Sequence, residues 1–125
     1  MRLLLDTHLF LWTVAGSPRL KPAVRRIIEQ AEEVYVSAAS IWEIAIKASL
    51  GKLQADPDEL VAAIASSGFV ELPISAAHGA AVARLPVHHN DPFDRMLIAQ
   101  ALCEPLRLLT VDGVLGRYSD VVVVV

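Results

Sequence analysis

Short apolar segments alternate with segments of helical periodicity along the chain, and this alternation restricts the fold more than any other feature. The apolar segments that read as strands are 3–5, 34–36, 69–72, 106–110 and 121–125. The helical segments between them are 7–15, 22–31, 40–50, 57–67, 76–85 and 92–102. Apolar strands separated by helices are typical of a parallel sheet that is covered on both faces. The sequence therefore predicts an α/β fold with a mainly parallel five-stranded sheet.

The size and composition of the chain limit its class. With 125 residues, the chain fits a single domain, 1–125. Hydrophobic residues make up 54% and charged residues 20%, which indicates a surface partly covered by a partner protein. The apolar segments are too short to span a bilayer, and the start of the chain lacks a secretory pattern, so we expect a cytoplasmic protein. The single cysteine, Cys103, is predicted to pack in the core.

Five acidic residues fall where a parallel sheet would gather them. Asp6 and Asp112 follow predicted strands, Glu43 lies one turn inside a helix, and Asp91 and Asp94 flank the start of another helix. Strand carboxyl ends and helix amino ends meet at one edge of such a sheet, and helical side chains lean toward the helix amino end. We therefore expect these carboxylates to converge.

Each acid also has a purely structural interpretation. Asp6, Asp91 and Asp112 could cap the helices that follow them. Asp94 could interact with the positive end of a helix dipole, and Glu43 could pair with the lysine one turn later. For any single position the structural interpretation is the stronger one, because caps and surface pairs are common.

The combination of acids favours a metal site instead. Carboxylates held close together repel one another unless a cation neutralises them. An all-oxygen site suits Mg²⁺ or Mn²⁺, and such ions support hydrolysis of a phosphodiester. The net charge of −3 argues against broad capture of nucleic acid by the protein surface, but a bound metal would invert the local field.

Four stretches of the sequence carry a resemblance to a known family. They read LLLDTHLFLW, SAASIWEIAIKASLGKL, LPVHHNDPFDRMLIAQA and LLTVD. Together they resemble the PIN-domain toxins of the VapC group, and the DPFDRMLIAQA stretch is the most distinctive. The resemblance implies a PIN-like α/β/α sandwich in which Asp6, Glu43, Asp94 and Asp112 are the catalytic and metal-binding acids. Asp91 matches an additional aspartate of this subgroup, and its role as a direct metal ligand is left open.

The resemblance also implies a function and partners. It implies a metal-dependent endoribonuclease that cleaves transfer or ribosomal RNA, forms a homodimer and is neutralised by a cognate antitoxin. Thr7, Ser37 and Thr110 are similar to small hydroxyl residues beside the site in this family, although capping or strand-end roles fit them equally. Arg95 is the first choice for a contact with the RNA backbone, although an ion pair with a neighbouring acid fits it as well.

Two other functions are compatible with parts of the pattern. An aspartyl-phosphate type of phosphatase also places an Asp at the end of its first strand, but it needs a second Asp where this chain has His8. A non-catalytic, degenerate PIN domain would bind a partner without needing all the acids. Phe10, Trp12 and Trp42 are candidates for a groove that receives an amphipathic partner segment, with core packing the expected role of at least two. No histidine is assigned a catalytic role.

Overall fold

Five strands form one parallel sheet. A computed structural model describes residues 1–125. Its strands are β1 (Arg2–Leu5), β2 (Glu33–Ser37), β3 (Val70–Leu72), β4 (Arg107–Thr110) and β5 (Val122–Val124). They are ordered β3-β2-β1-β4-β5, and every neighbouring pair is parallel. The prediction of a five-stranded parallel sheet is confirmed.

Six α-helices connect the strands, close to the predicted segments. They are α1 (Thr7–Ala15), α2 (Pro22–Gln30), α3 (Ala38–Ser49), α4 (Pro57–Ser66), α5 (Ala76–Val82) and α6 (Pro92–Cys103). A short 3₁₀ helix, Gly113–Arg117, follows β4. Helix α3 begins two residues earlier than predicted, because the Ser37 hydroxyl accepts a hydrogen bond from the backbone N–H of Ala39 and caps it. None of the helices has the length and apolar character that crossing a membrane requires.

The helices cover both faces of the sheet and divide the core into two layers. Leu3 and Leu5 of β1 pack on one face with side chains of α1, α2 and α4. Leu4 points to the other face and packs with α5 and α6. All three leucines are fully buried, because a central parallel strand is covered on both sides. This arrangement is the expected α/β/α sandwich.

The carboxyl ends of β1 and β4 lie side by side where the strand order reverses. From β1 the sheet extends through β2 to β3, and the chain then returns to place β4 on the other side of β1. Leu5 pairs in register with Leu109, so the residues that follow them, Asp6 and Thr110, meet at this edge. Open α/β sheets bind ligands in the crevice outside such a reversal.

The valine run forms the edge strand β5, in which Val122 is buried and Val124 is exposed. Cys103 was predicted to pack in the core, and this prediction is wrong because the side chain is exposed. Cys103 is the last residue of α6, and the buried face of that helix is formed instead by residues such as Leu97 and Ala101.

Candidate active site

Asp6 is a buried carboxylate at the end of β1. It caps α1 by accepting a hydrogen bond at Oδ1 from the backbone N–H of Leu9 (2.7 Å), and it accepts a second at Oδ2 from the Thr110 hydroxyl (2.6 Å). Only 4% of the residue is exposed. Burial raises the pKa of Asp6 above its ordinary value, although the two hydrogen bonds oppose this effect. No lysine or arginine forms an ion pair with Asp6, and the nearby His8 is the one positive group that lowers its pKa.

Glu43 lies beside Asp6 because α3 packs against α1. The Thr7 hydroxyl donates to Glu43 Oε1 over 2.7 Å and also contacts the Ser40 hydroxyl over 3.0 Å. Glu43 Oε2 accepts a 2.6 Å ion-paired hydrogen bond from Lys47 Nζ, one turn along α3. Glu43 is 4% exposed. The predicted pairing with the following lysine is therefore present together with the predicted approach to Asp6.

Asp91 and Asp94 stand at the amino end of α6. Asp91 caps the helix by accepting hydrogen bonds from the backbone N–H groups of Phe93 (2.9 Å) and Asp94 (3.1 Å). The pKa of Asp94 is raised to about 6, first by burial and then by the negative charges of Asp91, Glu43 and Asp6. Carboxylates raise one another's pKa only when they lie near one another. The amino end of α6 lies beside α3, where the Phe93 ring packs edge-on against Trp42 with ring centroids 5.1 Å apart, and the raised pKa of Asp94 agrees with this placement.

Asp112 is connected to the same edge through its backbone. Its N–H donates to the Thr110 hydroxyl (3.1 Å), which in turn donates to Asp6. The Asp112 carboxylate is exposed and caps the 3₁₀ helix by accepting a hydrogen bond from the N–H of Val114 (2.9 Å). Asp112 therefore lies at the exposed margin of the acidic site formed by Asp6, Glu43, Asp91 and Asp94.

The donor chemistry of this acidic site fits a hard divalent cation. All of the acids offer carboxylate oxygens, which Mg²⁺ and Mn²⁺ prefer. The like charge around Asp94 and the uncompensated burial of Asp6 both favour a bound cation. As the side chains stand, no three acidic groups are close enough together to hold one ion. For three of these acids to hold one metal ion, side chains would therefore have to rotate.

Comparison with known proteins identifies the family. The PIN domain description matches residues 3–121. The chain is also 35% identical over 115 residues to Ribonuclease VapC22 of Mycobacterium tuberculosis, an alignment that covers 87% of this chain and 85% of the relative. The chain belongs to the PIN-domain family, and it is of the VapC type. The resemblance noted in the four sequence stretches is thereby confirmed.

Solved structures share the fold of this PIN domain. The VapBC2 structure from Rickettsia felis, bound to a promoter DNA fragment, has a TM-score of 0.73 at 14% identity, with 100% of this chain and 98% of that chain covered. A toxin-antitoxin complex from Klebsiella pneumoniae has a TM-score of 0.68 at 18% identity and covers 97% and 95%. FitAcB from Neisseria gonorrhoeae has a TM-score of 0.67 at 20% identity and covers 98% and 96%. At these identities the likeness shows the fold alone.

The hydroxyl residues predicted near the site of the PIN domain occupy two different places. Thr7 and Thr110 are buried and hold Glu43 and Asp6, respectively, by hydrogen bonds. Ser37 is fully buried, and its hydroxyl donates to Oε1 of Gln100 on α6 (2.6 Å). Thr7 and Thr110 therefore orient acids, whereas Ser37 joins the end of β2 to α6. Contact of any of them with a substrate stays a prediction.

Arg95 is engaged with the loop that precedes α6. Its guanidinium donates to the carbonyl oxygens of Pro86 (2.9 Å) and Val82 (3.2 Å) and to the Tyr118 hydroxyl (3.3 Å). It forms no ion pair with the adjacent Asp94. In this structure Arg95 holds the loop in place, and its predicted contact with the RNA backbone stays a prediction.

Sequence reasoning missed two side chains beside the acids. Ser40 contacts Thr7 and lies three residues before Glu43, so the helical spacing in α3 could have indicated that the two share a face. His89 Nε2 lies 3.4 Å from Asp94 Oδ2. No periodicity links His89 to Asp94, because His89 lies in the loop before α6 and only the folded loop brings them together.

Proposed function

We propose that this PIN domain is a metal-dependent endoribonuclease and the toxin of a toxin-antitoxin pair. The observation that carries the proposal is the arrangement of Asp6, Glu43, Asp91 and Asp94 at one edge of the sheet, where α1 meets α3 through Thr7 and Glu43 and α3 meets the start of α6 through Trp42 and Phe93. The raised pKa of Asp94 agrees with this arrangement. Structural caps alone have no need to lie close enough to repel one another. The name of the similar Mycobacterium tuberculosis protein, a ribonuclease, supports the same reaction.

Asp6, Glu43, Asp94 and Asp112 are proposed to hold Mg²⁺ or Mn²⁺, with Asp91 as a further ligand or as the cap that sets the position of Asp94. Bound to such oxygens, the ion activates water and stabilises the charge that develops on a phosphodiester. The hydroxyls of Thr7 and Thr110 keep Glu43 and Asp6 oriented toward the ion. Burial excludes water from Asp6 and Glu43, which strengthens their attraction for a cation.

The substrate class proposed is structured RNA of the transfer or ribosomal kind. An acidic chain repels a polyanion over most of its surface, so binding must depend on the metal and on local cations. Lys47 is the cation nearest the acids, since it pairs with Glu43 and is 41% exposed. If Glu43 held the metal, the Lys47 ammonium group, now paired with Glu43, would be free to contact a phosphate.

A cognate antitoxin and a second copy of the chain are the proposed protein partners. The structures that share the fold include VapBC and toxin-antitoxin complexes. Phe10 is fully buried in the core and cannot line a partner groove, which agrees with the expectation that at least two of the three aromatic residues pack in the core. Trp12 is partly buried against the same core, which leaves Trp42, 59% exposed and stacked edge-on against Phe93, as the aromatic residue available to a partner.

Substitution of single acids tests the proposed reaction. In Asp6→Asn and Asp94→Asn the rate of RNA cleavage should fall below about one hundredth of the wild-type rate, because each change removes a charged metal ligand. Asp58→Asn is the matched control, since Asp58 is an exposed aspartate in the first turn of α4. Cleavage of a transfer RNA mixture should stop with EDTA and return with Mg²⁺ or Mn²⁺. Cleavage that persists in both variants would refute the assigned site.

A non-catalytic PIN domain that only binds a partner is the second candidate. Thermal unfolding with and without metal shows whether the domain has a metal site at all. Mg²⁺ or Mn²⁺ that binds only the native state raises the unfolding temperature. A domain that is stabilised by metal but cleaves no RNA would be a binding module. The complete set of acids favours the enzyme.

A further inference from the structure

One side-chain nitrogen in the chain is buried without a hydrogen-bond partner, and it lies beside the acidic site. It is Nε2 of His89, 3.4 Å from Oδ2 of Asp94. We propose that His89 is a positioning residue: its Nε2 faces Asp94, and a rotation that brings the Nε2–H onto the carboxylate fixes the orientation of Asp94 for metal binding. This inference rests on the proposed metal-dependent function and adds to it a residue that supports a ligand without being one.

The Tyr118 hydroxyl determines which ring nitrogen of His89 carries the hydrogen. Its oxygen accepts hydrogen bonds from the backbone N–H groups of His88 (3.2 Å) and His89 (3.1 Å), and Arg95 Nη1 lies 3.3 Å away. The single hydroxyl hydrogen can then go to His89 Nδ1 (2.9 Å) or to the His89 carbonyl oxygen (3.3 Å). The shorter contact is to Nδ1. Nδ1 is therefore an acceptor, and the neutral ring carries its hydrogen on Nε2.

The Asp94 carboxylate is the one hydrogen-bond acceptor that faces the Nε2–H group. The Asp94 carboxylate accepts no hydrogen bond from any other group in the structure, and Asp94 is the only acid that forms an ion-pair contact with His89. The 3.4 Å pair does not have hydrogen-bond geometry as it stands, and a rotation of the ring or the carboxylate with a shift of a few tenths of an ångström would give an ordinary hydrogen bond. This hydrogen bond would satisfy the buried nitrogen and hold Asp94 in one rotamer. Hydrogen bonds that orient metal-binding carboxylates in this way strengthen metal affinity.

A ring nitrogen that bound the metal itself would need the opposite tautomer. Metal coordination uses an unprotonated nitrogen, whereas the Tyr118 contact leaves the hydrogen on Nε2. A hydrogen on Nε2 therefore indicates a positioning role, and an unprotonated Nε2 would indicate a metal ligand. The position of this hydrogen can be measured directly.

Two substitutions of His89 distinguish the effect of its contact with Asp94 from the effect of the ring's packing on metal binding. The amide nitrogen of Gln can take the place of Nε2 and donate to Asp94, whereas the amide of Asn reaches only the place of Nδ1. In calorimetric titrations of the full chain with Mn²⁺, His89→Asn should weaken binding about 10-fold or more, while His89→Gln stays within about threefold of wild type. His88→Asn is the matched control, since the exposed His88 ring stacks on Tyr118 without meeting an acid. Equal affinities for both position 89 variants, whether unchanged or equally weakened, would overturn the inference.

Nitrogen-15 NMR of the His89 ring tests the tautomer without metal or activity. At a pH where the ring is neutral, we expect a protonated Nε2 and an unprotonated Nδ1, and in Tyr118→Phe a mixture of tautomers. A wild-type ring protonated at Nδ1 would overturn the inference even if RNA cleavage and metal binding are as proposed. Wild-type protein that binds no Mn²⁺ would instead refute the proposed function, and this inference with it.

Discussion

The crowding of carboxylates should make the metal-free protein more stable when one of them is removed. Asp94→Asn keeps the size and shape of the side chain and deletes its charge. In the absence of metal we expect this variant to have a larger free energy of unfolding than the wild type near neutral pH. A substitution that abolishes the proposed activity would thus stabilise the fold, because the charge it deletes is partly buried and is also held against like charges.

The magnitude follows from the pKa of Asp94, which is raised from 3.8 to about 6. Each pKa unit corresponds to about 1.4 kcal/mol, so ionised Asp94 destabilises the folded state by about 3 kcal/mol before screening. The side chain is 24% exposed, and solvent screening lowers this to about 2 kcal/mol. The charge also gains about 0.3 to 1 kcal/mol at the amino end of α6, which Asn forfeits. The expected net gain in Asp94→Asn is about 1 to 2 kcal/mol.

The pH dependence has a definite sign. Between 3.8 and about 6 the folded protein keeps a proton on Asp94 that the unfolded chain has released. Wild-type stability therefore falls as pH rises through this window and is constant above it with respect to this group. Asp94→Asn should lack this loss, so the two proteins should differ most above about pH 6.5 and converge toward about pH 4.

Urea unfolding in EDTA, followed by circular dichroism across this pH range, measures the effect. Asp58→Asn, on the exposed first turn of α4, is the control for replacing a helix-start aspartate. The reasoning would be refuted if Asp94→Asn were no more stable than wild type at about pH 7.5, or if the control gained as much. Saturating Mn²⁺ should reverse the order, because only the wild type retains the full set of acids.

Three further substitutions test parts of the fold. Thr7→Val should lower the free energy of unfolding by about 1 to 3 kcal/mol, because Glu43 loses a buried 2.7 Å hydrogen bond; urea titration with Thr7→Ser as control checks this, and an unchanged Val variant would contradict it. Leu109→Ala, at a fully buried position of β4, should cost about 2 to 5 kcal/mol in the same assay, and a loss below 1 kcal/mol would argue against the packing described. Trp42→Ala should change the free energy of unfolding by no more than about 1 kcal/mol, because the ring is 59% exposed and contacts Phe93 edge-on. Thermal unfolding checks this, and a larger loss of stability would indicate that Trp42 packs in the core.

Local patterns in the sequence were enough to predict the elements and their class. Helix α1 begins and ends where predicted, and the aspartate and proline that open α6 cap it as expected. The Glu43–Lys47 pair also forms at its expected spacing. Caps, prolines at helix starts and pairs one turn apart act over a few residues, so their effect can be deduced without knowing the rest of the chain.

Predictions of side-chain direction were less successful where they depended on packing between distant elements. Core packing is the expected role of at least two of Phe10, Trp12 and Trp42, but the sequence does not indicate which, and the structure buries Phe10 and leaves Trp42 exposed. The sequence predicts Cys103 in the core and it is exposed. Ser37 caps α3, in agreement with its alternative role, but its contact with Gln100 has no signal in the sequence. In each case the facing element decides the outcome, and it comes from a remote part of the sequence.

The sequence by itself determined an alternating α/β chain, the order of its strands and helices, and the placing of acids at strand and helix ends, because these depend on short-range periodicity and capping. Only the tertiary structure decided that the amino end of α6 stands against β1 and α3, which raises the pKa of Asp94, and that His89 faces that carboxylate. The physical reason is that electrostatic repulsion and hydrogen bonding depend on distances of a few ångströms between residues far apart in the chain, and these distances are fixed by the packing of helices on both faces of the sheet.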